Sequence, residues 1–117
     1  MNIETLRQYC LSKTGATESF PFGEETLVFK VGGKMFGLTS LNDDPLSVNL
    51  KCDPELAVEL REQYDAVRPG FHMNKVHWNT VIIDGTIRES ELKKWIDHSY
   101  ELIVKSLPKT TQRALEK

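Results

Sequence analysis

Gly32-Gly33 is the feature that most limits what this chain can become. It lies between TLVFKV (residues 26–31) and KMFGLTSL (34–41), two runs of strand-forming character. A two-residue Gly-Gly link between such runs predicts a β-hairpin, because both glycines can take positive φ. A simple two-residue register sets Phe29 opposite Phe36 and Leu27 opposite Leu38, which gives the hairpin an apolar face. A lone hairpin is marginal in water, so the rest of the chain has to cover that face.

The flanking segments supply the cover. Asn2 is placed to cap a helix running to about Lys13, with Ile3, Leu6 and Cys10 on one side and Gly15 as the stop. ESFPFGEE (18–25) reads as a loop. After the turn NDDP (42–45), LSVNLKC (46–52) alternates Leu46, Val48 and Leu50 with Ser47, Asn49 and Lys51, a third strand. Asp53-Pro54 marks a helix start, cap then first helical position, with the helix running to about Tyr64. VRPGFHMNK (67–75) reads as loop and HWNTVIID (77–84) as a fourth strand. Both faces of that strand are partly apolar, which predicts a central strand covered on both sides. A long helix spans roughly Arg88 to Leu107, and Pro108 stops it. Thr111 is placed to cap a short C-terminal helix. The order α-βββ-α-β-α-α predicts an α+β domain, a mainly antiparallel β-sheet with helices packed against it.

A chain of 117 residues suits one domain, here spanning 1–117, and 39% hydrophobic with 27% charged residues does not suggest disorder. The net charge of −2 argues against non-specific nucleic-acid binding by the whole surface, though not against a local basic face. Cys10 and Cys52 belong to no CxxC or CxxH unit and read as reduced, buried thiols of a cytoplasmic protein. MNIETLRQYC does not resemble a signal peptide, and no run approaches a membrane span of about 20 apolar residues.

Catalytic motifs are not found. Asp97-His98-Ser99 lies inside a predicted helix, where neighbours point about 100° apart and cannot converge. There is no GxSxG, HExxH or phosphate loop, so the reading is non-enzymatic and without cofactor. His72 and His77, with Cys52 or Asp53, match no zinc spacing, so no metal is expected. Glu24, Glu25, Asp43 and Asp44 read as solvated turn residues. Trp78 reads as a core or rim anchor rather than a base-stacking platform, and Phe71 as the better exposed aromatic contact.

The concentrated signal is VRPGFHMNKVHWNTVIID (67–84), which carries Arg68, His72, Asn74, Lys75 and His77 with no acid before Asp84. Long polar side chains on a scaffolded loop more often serve binding than packing. Arg68 and Lys75 suit phosphates, and Asn74 suits a base edge. Residue chemistry alone names no partner. An anionic or hydrogen-bonding partner, DNA among them, suits this loop, with Phe71, His72 and His77 contributing, and the plain reading is a solvated loop with Arg68 bonded to nearby carbonyls. A small anionic ligand or a protein partner at the same loop is the alternative to DNA. A monomer is expected, with no membrane partner.

The chain resembles the MmcQ/YjbR family of small bacterial proteins along nearly its full length. The matching segments are KTGATESFPFG, KMFGL, SVNLKCDPELAVELREQY, VRPGFHMNKVHWNTVIIDG and the pair Ser99-Tyr100. The resemblance implies a compact domain with an antiparallel sheet, likened to the frataxin-type, CyaY-like fold. It also implies DNA binding by a "double wing" of strands and loops, which is analogy at the level of fold. Frataxin-like iron binding is not implied, since the first helix carries only Glu4 and no acidic ridge.

Overall fold

The computed structural model describes residues 1–116. Its elements are α1 (Ile3–Leu11), β1 (Thr17–Ser19), β2 (Thr26–Val31), β3 (Lys34–Ser40), β4 (Ser47–Lys51), α2 (Pro54–Gln63), β5 (Val67–Pro69), β6 (Trp78–Ile82), α3 (Glu89–Ser106) and α4 (Lys109–Leu115). The strands form one antiparallel sheet in the order β1-β2-β3-β4-β6-β5. The expected α+β architecture holds. It gains two three-residue edge strands, β1 and β5, inside segments that read as loops.

Local chemistry accounts for most boundaries. The Asn2 side chain accepts from Thr5 N–H at 2.9 Å, and the Thr5 hydroxyl answers the Asn2 N–H, a reciprocal cap that starts α1. Asp53 accepts from Leu56 N–H at 3.3 Å with Pro54 in the first turn of α2. Gly32 and Gly33 have φ of 57° and 82°, the mirror-image turn that joins β2 to β3. The C-terminal helix differs from expectation. It begins after Pro108 without a side-chain cap, and Thr111 lies within it.

The hairpin register also differs. Val31 pairs with Lys34 and Lys30 with Met35, but then a β-bulge intervenes. Phe29 therefore lies opposite Gly37 and Leu27 opposite Thr39. Phe36 is the extra residue, and its ring stays near that of Phe29 at 6.3 Å between centroids. A bulge leaves ladder groups unpaired, and a helix fills this gap. Ser99 of α3, fully buried, donates its hydroxyl to Phe36 O at 2.5 Å and accepts from Lys51 N–H at 2.9 Å. The hydroxyl replaces a missing rung between β3 and β4, whose recorded pairing is confined to Gly37 with Leu50 and Leu38 with Asn49.

One sheet face is covered. Leu27, Phe29, Val31, Val48, Leu50 and Val81 pack against Leu6 and Cys10 of α1, Ala57 and Leu60 of α2, and Leu92, Ile96 and Ile103 of α3. Tyr9 donates to Asp97 at 2.6 Å and Lys13 pairs with the same carboxylate, tying α1 to α3.

Both cysteines are buried and free. Burial pushes the Cys10 thiol up to about 12, and burial with the neighbouring Asp53 pushes Cys52 up to about 11. The native protein at pH 8 should therefore resist an aromatic disulfide reagent, and both thiols should react once it is unfolded in guanidinium. A folded-state value above the unfolded value, near 9, stabilises fully below pH 9 and is lost as pH rises toward 11–12. The urea midpoint should fall over that window. Rapid native labelling at pH 8 would contradict the packing described.

Candidate functional site

The opposite face of the sheet is open across its middle. Strand alternation puts Ser47 and Asn49 of β4 there, since Val48 and Leu50 face the helices. The cross-strand pairs align into one continuous row across all six strands: Ser19–Val28–Leu38–Asn49–Thr80–Arg68. The row is apolar at Val28 and Leu38 and polar at Asn49 and Thr80, and it ends on a guanidinium. Above it lies a cleft of about 880 Å³. That volume is within the range of small-molecule sites.

Two loops from opposite edges of the sheet wall the cleft. The β1–β2 loop (20–25) contributes Phe22, 64% exposed, and the β5–β6 loop (70–77) contributes Phe71, 68% exposed. Met35, Leu38, Met73 and Ile82 add apolar lining, and Ser40, Ser47, Asn49 and Thr80 add hydroxyl and amide groups. The charged lining residues are Arg68 and Asp43, with the ring of His72 nearby. Within the floor Thr80 Oγ1–H donates to Asn49 Oδ1 and accepts from Phe71 N–H at 2.9 Å, which ties the loop to the sheet.

The β5–β6 loop is held from beneath and from within. Arg61 of α2 donates to Asn79 Oδ1 at 2.7 Å and to the carbonyls of Lys75 and Trp78. Asn79, buried, also donates to Ala57 O at 3.3 Å. Gly70 packs on Trp78 so closely that a Cβ there would come within 2.8 Å of Trp78 Cβ and 2.9 Å of Trp78 O. His72 has φ of 59°, left-handed backbone that a residue with a Cβ enters at a cost. Outliers of this kind gather at binding sites.

The structure separates the expected site residues into two groups. Arg68, Phe71 and His72 line the cleft. Asn74, Lys75 and His77 are exposed but lie outside it. Lys75 Nζ donates to Gly70 O at 3.1 Å, and Asn74 Oδ1 accepts from Val76 N–H at 2.9 Å and His77 N–H at 3.3 Å. Asn74 thus works as the internal cap of its turn. Asn74→Ala is expected to cost about 0.5–2 kcal/mol, the usual range for losing such a cap. A chemical-melt midpoint unchanged from wild type would show that the bond contributes nothing.

Phe22, Leu38, Asp43, Asn49 and Thr80 were not among the expected site residues. The polar face of LSVNLKC was the available signal, because half-polar strands line an open face. Expectation is also corrected at β6. Trp78, 9% exposed, is covered by the loop as an anchor should be. Thr80 and Ile82 on the same face are only half-buried and line the cleft, so the strand is not covered along both sides.

Asp97, His98 and Ser99 do not form a catalytic set. Ser99 bridges the sheet gap, and His98 Nε2 accepts from Asp53 N–H at 3.1 Å. Among the described residues, no three His, Cys, Asp or Glu side chains gather as metal ligands. No helix among them is long and apolar enough to cross a membrane.

Comparison with known proteins bears on lineage. The YjbR family model matches residues 11–102. The chain is 37% identical to YjbR of Escherichia coli K12 over 115 residues, covering 98% of each. It is 37% identical to YbdF of Escherichia coli O157:H7 over 110 residues, covering 94% of this chain and 90% of that one. Both relatives are described as uncharacterized proteins. The crystal structure of Deinococcus radiodurans protein DR2400 superposes with a TM-score of 0.93 at 40% identity, covering 98% of this chain and 88% of that one. A Pseudomonas syringae crystal structure gives 0.77 at 27% identity, covering 88% and 99%. Agreement in sequence over nearly the whole length, together with agreement in fold, places this chain in the YjbR family.

Proposed function

We propose that this protein is a non-catalytic binding module for a small anionic molecule, and that the cleft on the open sheet face is its site. The observation that carries the reading is the row Leu38–Asn49–Thr80–Arg68, an apolar-to-cationic floor beneath two exposed phenylalanines. A concave, mostly apolar site with a few convergent polar groups is how small ligands are held.

The second reading is DNA held by the β5–β6 loop. Exposed Arg68 at the end of β5 and His72, Lys75 and His77 on the loop that follows support it, as does the pair of flanking loops that the double-wing likeness calls for. Two features favour the cleft instead. Gripping a duplex takes several cations, and one of the three Lys75 donors is already taken by Gly70 O within the loop. A bidentate contact to adenine uses both ends of an amide, and Asn74 Oδ1 already has two donors.

A salt-titrated assay with duplex DNA, run beside a thermal-shift survey of small organic anions, separates the two. The cleft reading expects a small anion to raise the melting temperature, with affinity little changed between 50 and roughly 200 mM salt because one ion pair is made. Arg68→Ala should abolish most of that gain and Lys75→Ala should not. Steep salt dependence for duplex DNA, with a slope lowered by about one in each of these variants, would instead establish DNA as the partner.

A further inference from the structure

The cleft has a polarity along its length, and that polarity defines a ligand. We infer that it takes an aromatic monocarboxylic acid of about two fused rings, with a hydrogen-bond donor on the end away from the carboxylate. This rests on the cleft reading above and names the ligand class.

Among the described residues, Arg68 is the single Lys or Arg in the lining. Its Nε donates to Asp65 O at 3.3 Å, and its terminal nitrogens make no hydrogen bond among the described residues. One planar guanidinium pairs well with one carboxylate. A dianionic phosphate would seek further cations, and the cleft offers Asp43 instead. Asp43 lies in the β3–β4 turn, beside Ser40 and Ser47, and accepts weakly from the Ser47 hydroxyl at 3.4 Å. A carboxylate there repels a second negative group and welcomes an N–H or O–H.

Across the sheet, Arg68 on β5 and the β3–β4 turn lie two to three strand spacings apart, roughly 12 Å, and the turn lies further along the strands than the Arg68 row. Arg68 and Asp43 both line the cleft from different elements and are its two opposite charges, so a ligand that meets both has the size of two fused rings with a short acid tail. The walls suit a flat π-system. Phe22 and Phe71 are exposed large aromatics from opposite edges, and Met35 and Met73 supply adaptable sulfur contacts. Leu38 and Ile82 form an apolar floor.

The test uses the full chain, ¹⁵N-labelled, with indole-3-propionate as probe. Two matched analogues are its neutral amide and 2-naphthalenepropionate, which lacks the ring N–H. Calorimetry gives affinity, and amide shifts give location. The acid is expected to shift Leu38, Asn49 and Thr80 and to bind about 10–100-fold tighter than the amide, the worth of a charge-assisted contact. Arg68→Gln should erase that difference, and Asp43→Ala, which removes the acceptor, should erase the preference for indole over naphthalene. Well-dispersed spectra of both variants would show that they remain folded.

Equal binding of acid and amide in the cleft would overturn the carboxylate assignment while leaving the cleft as a binding site. So would a nucleoside monophosphate that binds the cleft more tightly than the acid. If no small probe moves cleft residues while duplex DNA does, both this inference and the cleft reading fail.

Discussion

Trp78→Ala should destabilise the protein by about 3–5 kcal/mol, the cost of emptying a buried large aromatic site. The ring is 9% exposed at the start of β6. Trp78 is not part of the main helix-side core; Gly70 of the β5–β6 loop packs against its Cβ and donates to its backbone carbonyl at 2.9 Å. The substitution should therefore reach the cleft as well. Variant protein kept folded at low temperature should bind small anions more weakly, because the wall carrying Phe71 and His72 loses its support. In a Trp95→Phe background, iodide should quench Trp78 fluorescence only weakly. Strong quenching, or a loss below about 1 kcal/mol, would mean that the loop does not rest on this ring.

Ser99→Ala should cost about 2–4 kcal/mol, far more than an alanine in a helix ordinarily does. The lost hydroxyl serves two backbone groups at once, Phe36 O and Lys51 N–H. Both lie where the bulge parts β3 from β4, and the site is fully buried, so water cannot readily replace it. Each buried group left without a partner costs about 1–3 kcal/mol. Ser99→Thr would keep the hydroxyl but add a methyl group to a packed site, and should fall between the two. Hydrogen exchange offers a local check, since the Lys51 amide should lose protection in Ser99→Ala before its neighbours do. Wild-type stability in the alanine variant would show that the gap closes by itself.

The hairpin, the capped helices and the Asp53-Pro54 helix start were legible because each depends on residues within four or five positions. Gly32-Gly33 permits positive φ wherever it stands, and Asn2 reaches Thr5 in any context that lets the helix form. The alternation in LSVNLKC likewise announced one buried and one open face.

The bulge at Phe36 was not legible, because what stabilises it is a serine 63 residues further along the chain. Strand β1 escaped for a similar reason. Three polar residues carry no strand signal of their own, and Glu18 is held by Arg7 of α1, at 2.9 Å from Arg7 Nε to Glu18 Oε2. At the site, the sequence by itself determined that 67–84 concentrates donors on a loop. The tertiary structure alone decided which of them meet. Strand pairing carried Arg68 into a row with Leu38, Asn49 and Thr80, while the folding of the loop on itself engaged Asn74 and Lys75 locally. Side chains converge across a sheet by register, and register depends on partners far apart in the chain.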